Sequence, residues 1–468
     1  MKPIIILISL CSICIPFNSF AEVLTEDMVV ESARKNHPKI FINEEKIRTA
    51  QAQLQEAQGE FDTKLETNYK QFTSGYYDGR GYLESKIVKP LPLANAKVYT
   101  GYTKSSGGIY PEMNQYFSTK SDGRAMFGFE FSLLRGFLIN EQASVKKMAK
   151  IDVEISKNSQ KLMEQQIIAD ARKAFWKYIY TKKILNLHKE MLEISLNRNE
   201  SLEMQVKKGD KAPIILDENR RIILRRQSTL DSMQRELLNS AVSLSMYLRG
   251  ENQEPVEIET IVGAKNSEIE PTHTVPRNYN IDIKQAKERR LDIKIAKSLL
   301  KQQDIQMKVS KNQRLPVVDV GFETSQDYGT GAIEKDQMLH KVKVNVSIPL
   351  ENNKQGGKFQ KNSAQLRASK RELQLLENSI ANEILATHNR IFELDSIHKN
   401  AKEEIEIAKK LLKAENIRFK NGDSDFFMLN AREQDLLNAQ EYCYKLKLAL
   451  VEISIEYEFM TKNSLADV

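Results

Sequence analysis

Hydrophobic and polar positions alternate in residues 342–348, VKVNVSI. Val342, Val344, Val346 and Ile348 share one side, and Lys343, Asn345 and Ser347 share the other. A period of two describes a strand with one apolar and one polar face. Pro349, a short polar run and a long helical pattern follow. Residues 127–142, FGFEFSLLRGFLINEQ, repeat that transition earlier in the chain. Four segments alternate in this way. In 61–70, Phe61, Thr63, Leu65 and Tyr69 oppose Asp62, Lys64, Glu66, Asn68 and Lys70. In 124–133, Ala125, Phe127, Phe129, Phe131 and Leu133 oppose Arg124, Glu130 and Ser132. In 317–324, Val318, Val320 and Phe322 oppose Asp319 and Glu323. The fourth segment is 341–348. The pattern predicts four strands in two hairpins. A soluble sheet with one face on a core would alternate in the same way. So would membrane-spanning barrel strands, which need about 9–11 residues each.

Residues 142–208 and 358–421 contain neither proline nor glycine. At 1.5 Å per residue each predicts a helix of roughly 100 Å, far longer than the usual 11–12 residues or so. Apolar residues recur in coiled-coil steps at Leu373, Leu376, Ile380, Ile384, Thr387 and Ile391. A returning helix carries Ile223, Arg226, Leu230, Met233, Leu237, Ser240, Leu244 and Tyr247 in steps of three and four. Each long helix ends at a glycine. QVKKGDKAPIILDENRR (205–221) aligns without gaps on RFKNGDSDFFMLNAREQ (418–434), setting Gly209 on Gly422 and Asp210 on Asp423. Glycine can take the left-handed conformation that closes a helix. Aspartate or serine suits the cap of the next helix, and Pro213 suits its first turn. Each half is therefore a helical hairpin with a sharp tip.

These elements occur twice. A leading helical segment, about 25–60 and again about 282–314, enters a strand pair, and a long helix descends, turns at a glycine and returns. Pro38 matches Leu291 at an offset of 253, whereas Ser132 matches Ser347 at 215, so the first copy carries 38 extra residues. They fall in 75–123, a stretch rich in Gly, Tyr, Ser and Asn with strand-like pieces near 83–89 and 96–104. The division is 1–21, a signal peptide; 22–250, the first repeat with its insertion at 75–123 and its tip at 209; 251–281, a connector with Pro255, Pro271 and Pro276; 282–461, the second repeat with its tip at 422; and 462–468, a tail.

The 468 residues are 28% charged and 41% hydrophobic with few aromatics, which suits long solvated helices better than one large core. The net charge of +7 is spread along the chain, with no basic block of the kind nucleic acid requires. Lys2, the apolar run IIILISLCSICI and Ser19-Phe20-Ala21 predict a secretory signal cut after Ala21, leaving Glu22 as the first mature residue. Neither Cys11 nor Cys14 follows a small residue, so no lipid attachment is expected. Cys443 alone remains, which excludes an internal disulfide. It belongs to the series Leu429, Leu436, Cys443, Leu450, spaced by sevens, and reads as a packed helix residue. The mature chain has no run of about 20 apolar residues.

No catalytic, cofactor or metal site is apparent. His37, His188, His273, His340, His388 and His398 show no metal-ligand spacing, and Gly329 and Gly331 lack a phosphate-loop pattern. Acidic pairs on long charged helices read as solvated faces, and Phe175–Trp176 reads as packing.

The chain resembles the TolC-type outer-membrane efflux proteins across essentially all of its mature length. The resemblance rests on ARKNHPKI, AQAQLQEAQGEFDTKL, SLLRGF, SIPLENNKQGG, the two glycine tips and MLNAREQDLLNAQ, in that order and in duplicate. It implies an α+β protein whose long coiled-coil hairpins and four strands per chain assemble as a trimer. Such a trimer has a 12-stranded outer-membrane β-barrel over a periplasmic α-helical tunnel. The implied role is a passive exit duct of a tripartite efflux or type I secretion system. The implied partners are outer-membrane lipid, a periplasmic adaptor (membrane fusion protein) and an inner-membrane transporter. The hairpin tips Gly209, Asp210, Gly422 and Asp423 would dock the adaptor. The family's gate often uses paired acidic residues after the second tip; here those positions fall on Asn430 and Phe427, with Asp423 and Asp425 close by. The candidate gate is therefore Asp423, Asp425 and Asn430. The insertion and both shortened tips depart from familiar members. A rival reading is a periplasmic coiled-coil adaptor or scaffold without a pore. It would need a single hairpin and small barrel modules, and amphipathic strands have no place in it.

Overall fold

A computed structural model describes residues 23–75, 79–106, 119–250, 252–263, 278–331 and 333–461. The expected signal peptide, the tail at 462–468 and part of the connector lie outside the described residues. The leading segment of each repeat is two helices rather than one. α1 (Glu26–Asn36) and α2 (Pro38–Gly59) in the first repeat correspond to α6 (Tyr279–Arg289) and α7 (Leu291–Asn312) in the second. The lengths match pairwise, 11 and 22 residues, at the same offset of 253. Pro38 forces the first break, because proline drives the preceding residue extended: His37 has φ −74° and ψ 126°. Arg290 adopts the same geometry, φ −56° and ψ 136°, with no proline after it.

The long helices α3 (Glu141–Lys207) and α8 (Asn353–Asn421) run 67 and 69 residues, each about 100 Å. They pair with the returning helices α4 (Ile214–Ser245) and α9 (Phe426–Thr461). α8 begins five residues before its expected start and carries Gly356 and Gly357 inside its first turns, where nothing crowds their Cα atoms. The seam positions are the buried ones. Ile380, Ile384 and Ile391 of α8 are at most 1% exposed and pack against Ala286, Ile293, Tyr457 and Met460. Leu429, Leu436, Cys443 and Leu450 line the buried side of α9. The largest core lies midway along the helices, where α1, α3, α4, α9 and the short α5 (Ile258–Gly263) converge on Phe175, Tyr178, Ile179, Leu244 and Ile455. Tyr178 donates to the Ile261 carbonyl at 2.9 Å, and Trp176 Nε1 donates to Glu26 at 3.0 Å, tying α5 and α1 to α3.

The strand number differs from expectation. The described residues form one antiparallel sheet of six strands, not four strands in two hairpins. The strands are β1 (Lys64–Gln71), β2 (Gly81–Pro90), β3 (Lys97–Ser106), β4 (Gly123–Ser132), β5 (Val317–Tyr328) and β6 (Leu339–Ser347), paired in that order. The strand-like pieces of the insertion are β2 and β3, and they separate β1 from β4. The stretch reads as loop because of its Gly, Ser and Tyr content, yet every residue of β2 finds a partner on β3. The α+β class holds.

Removing a buried branched chain from the seam should cost about 2–5 kcal/mol through lost burial and a residual cavity. Ile384→Ala is therefore expected to lower the thermal midpoint clearly. Leu375→Ala, at a site 69% exposed, should not, and circular dichroism melts of both variants check this.

Candidate functional site: a two-faced sheet and two helical tips

Register fixes which side chains share a face. Through the pairs Leu65↔Ile87, Tyr69↔Leu83, Val98↔Phe129, Phe129↔Phe322 and Phe322↔Val342, an apolar band runs along one side of the sheet from β1 to β6, with Lys89 beside Val98 and Lys104 beside Leu83 near the two ends of β2 and β3. Among the described residues no helix or second sheet covers it. Leu65 is 72% exposed and Val342 69%. The opposite side carries Lys64, Glu66, Glu84, Lys86, Lys97, Arg124, Glu130, Glu323, Asp327, Lys341 and Lys343. Many of these are paired: Lys86–Glu84 at 2.6 Å, Lys97–Glu130 at 2.8 Å and Arg124–Asp327 at 2.8 Å. A hollow on this side is lined by all six strands, one residue from each being Glu66, Lys86, Tyr99, Glu130, Glu323 and Lys343. The polar face is thus the concave one and the apolar face the convex one. This inverts a soluble sheet, in which the apolar face turns to a core.

At the far end the helices reverse. Gly209 and Gly422 have φ of 82° and 85°, the left-handed region open to glycine. Both tips use the same two bonds. Gly209 N–H donates to Val206 O and Asp210 N–H to Gln205 O; Gly422 N–H donates to Phe419 O and Asp423 N–H to Arg418 O. This is a Schellman closure, which satisfies carbonyls that a helix end otherwise strands. The tips differ afterwards. Asp425 Oδ1 accepts from Met428 N–H at 2.8 Å and caps α9, whereas α4 starts behind Pro213 without a side-chain cap. Asp210, Asp423 and Asp425 are exposed. Lys211 of the first tip lies over the Phe419 ring at 5.7 Å, setting the two tips side by side.

Asn430 stands apart from these carboxylates. It is half-buried and accepts from Arg226 Nη2 at 3.3 Å. Arg226 belongs to a buried ionic cluster above the tips that the seam pattern contained without revealing. Arg198 of α3 and Arg226 of α4 both bind Glu433 of α9, whose side chain is 3% exposed. Arg226 also donates to the Met191 carbonyl at 2.7 Å and to Ser195 Oγ. Burial and the neighbouring Arg226 pull the Arg198 guanidinium down to about 10, so it stays charged at neutral pH. Farther up, His188 of α3 bonds Glu441 of α9 at 3.2 Å. That hydrogen bond, reinforced by Lys445 against the cost of burial, lowers Glu441 from 4.5 to about 2. Both clusters join the first hairpin to the second. His388 packs between Phe392 and Tyr279, and Cys443 is a buried thiol among leucines. Among the described residues no group of three or more His, Cys, Asp or Glu could hold a metal ion, and no helix is long and apolar enough to cross a membrane.

Glu433→Ala should cost about 3–5 kcal/mol, because it strands two buried cations. Glu433→Ala combined with Arg198→Met and Arg226→Met should recover much of that loss, and thermal melts of both variants decide. For Glu441 the folded-state pKa is depressed, so its contact stabilises fully above the unfolded value of about 4.5. That contribution fades as pH falls toward 2. Melting points of the native protein and Glu441→Gln should therefore differ at pH 7 and converge near pH 2.

No family model matches the chain, and no curated relative matches it in sequence. Solved structures do match its fold. The Campylobacter jejuni CmeC outer membrane channel superposes with a TM-score of 0.66 at 12% identity, covering 94% of this chain and 85% of that one. The outer membrane protein VceC from Vibrio cholerae gives 0.68 at 11%, covering 94% and 97%. The open state of the Neisseria gonorrhoeae MtrE outer membrane channel gives 0.62 at 12%, covering 94% and 89%. Over nearly its whole length, the chain has the fold of the outer-membrane channels.

Proposed function

We propose that the protein is a passive exit duct of the outer membrane, serving a tripartite efflux or type I secretion system. The observation that carries this reading is the inverted sheet: apolar on its convex side, charged on its concave side, and continuous with helices of about 100 Å. Such a sheet suits lipid outside and water inside. Its first and last strands leave backbone groups unpaired, each costing several kcal/mol or so in hydrocarbon. One chain therefore cannot span a bilayer alone. Three copies sharing one barrel meet this demand, with the helices extending through the periplasm. A pore-free scaffold would give the bare apolar face no purpose. The duct does no chemistry and uses no cofactor.

The tips Gly209, Asp210, Gly422 and Asp423 are the docking points for an adaptor and, through it, an inner-membrane pump. They close the helices tightly and leave polar groups exposed. Asp423 and Asp425 are the candidate ring of charge at the closed end, where threefold repetition would focus a negative field. Asn430 would act there through Arg226, its partner.

The protein should fractionate with the outer membrane as a trimer with mature N-terminus Glu22, and should form ion-conducting pores in planar bilayers. Recovery as a soluble periplasmic species without conductance would overturn the reading. Gly209→Val and Gly422→Val should each abolish export while trimers still reach the outer membrane, because a β-branched residue resists the left-handed conformation. Asp423→Asn combined with Asp425→Asn should weaken cation selectivity and divalent-cation block. Unchanged single-channel selectivity would leave Asp425 as a helix cap only.

A further inference from the structure

We propose that β2 and β3 are full members of the barrel wall. In that arrangement β1 of one copy pairs with β6 of the next, so that three copies close an eighteen-stranded barrel. This rests on the exit-duct reading above and sets its bore. Twelve strands would require four from each chain, and the described residues provide six.

Four observations place the inserted hairpin in the wall. Its central residues keep the faces of their neighbours: Leu83 and Ile87 stand with Tyr69 and Leu65, and Val98 and Thr100 with Phe129 and Phe127, while Lys89 and Lys104 join that face only near the hairpin's two ends. The concave hollow runs without interruption across β2 and β3. The flanking strand is cut to fit the insertion. Tyr99 of β3 crosses β4 above Gly128, where a Cβ would sit 2.4 Å from the Tyr99 ring, and donates to Glu323 of β5 at 2.8 Å. The hairpin's turn is also anchored to the foot of β4. Ala94 and Asn95 take left-handed φ of 52° and 49°, and Ser132 N–H donates to the Ala94 carbonyl at 2.9 Å.

The two free edges suit each other. With six antiparallel strands, β1 and β6 run in opposite directions, so β6 of one copy meets β1 of the next as another antiparallel pair. One edge of each kind per chain makes a head-to-tail contact that closes into a ring. With strands about 4.8 Å apart and tilted about 40°, eighteen strands give a barrel of about 36 Å diameter and twelve give about 24 Å. Barrels of about 16–18 strands hold an open aqueous channel. The outlet is therefore wide, and selection by size falls to the helical tips.

Disulfide mapping of the full chain in outer membranes, with imaging of the purified trimer, tests the proposal. Buried Cys443 can remain in place. Thr67→Cys with Ser85→Cys should cross-link within a chain, because the two native hydroxyls lie 3.2 Å apart. Thr67→Cys with a cysteine at 125, 127 or 129 should not. β1 lies three strand spacings from β4, about 14 Å, beyond the reach of about 7 Å that a disulfide tolerates. Cysteine pairs scanned between β1 and β6 should yield covalent dimers and trimers, and electron microscopy should show a barrel of about 36 Å. A trimeric barrel near 24 Å, with β1 cross-linking directly to β4, would overturn the eighteen-stranded wall and leave the exit duct standing. No membrane barrel at all would overturn the duct and the wall together.

Discussion

A backbone in hydrocarbon can satisfy its hydrogen bonds only along neighbouring strands or within a helix. On the exit-duct reading, that constraint organises this chain. No described helix is long and apolar enough to cross a membrane, and on that reading the sheet is the part that would meet hydrocarbon. The sheet offers an uninterrupted ladder from β1 to β6 and an apolar band on its convex side. Ion pairs such as Arg124–Asp327 then lie on the concave side, where charged groups can stay hydrated or matched. Burial of the sheet's apolar side chains cannot be what holds it together in one chain, since they stand bare. Strand pairing does that.

The helices solve a different problem. A helix of about 100 Å cannot rest on a globular core, so α3, α4, α8 and α9 bury narrow seams against one another. Such seams tolerate sliding. Polar contacts at defined heights oppose it: Glu433 takes both Arg198 and Arg226, Glu441 takes His188, and Arg172 bridges Glu26 and Glu458. Buried charge contributes little net stability when well paired. What it does here is join the first hairpin to the second at defined heights.

Much of this was legible from pattern alone. Period-two alternation marked β1, β4, β5 and β6. The absence of Gly and Pro marked the long helices, and a glycine followed by aspartate marked both tips. β2 and β3 were harder to read because Ser85, Lys89, Thr100 and Lys104 dilute their apolar face, and the surrounding Gly and Ser resemble loop. Only the pairing register shows that Ile87 continues the surface of Leu65. The ionic cluster was hidden for another reason. Arg226 sits in an apolar seam, but its carboxylate partner is 207 residues away on the other hairpin. The break at Arg290 lacked the proline that announced the one at His37. The early start of α8 was masked by two glycines that ordinarily end a helix.

The duplication is unequal, and the inequality has a geometric consequence. The helical elements of the two halves match in order and closely in length, so each chain repeats itself in its helical wall. The sheet does not follow, for the first half brings four strands and the second brings two. In a ring of three copies the helical wall is quasi-sixfold while the mouth is only threefold. The two levels are mismatched in symmetry where they join, and the turn between β2 and β3 sits at that join with no helix of its own below it. Substitutions that suit one half of the helical wall therefore have a counterpart position in the other half. Those in the inserted hairpin have none, which leaves the mouth free to diverge while the helical wall remains bound to its internal copy.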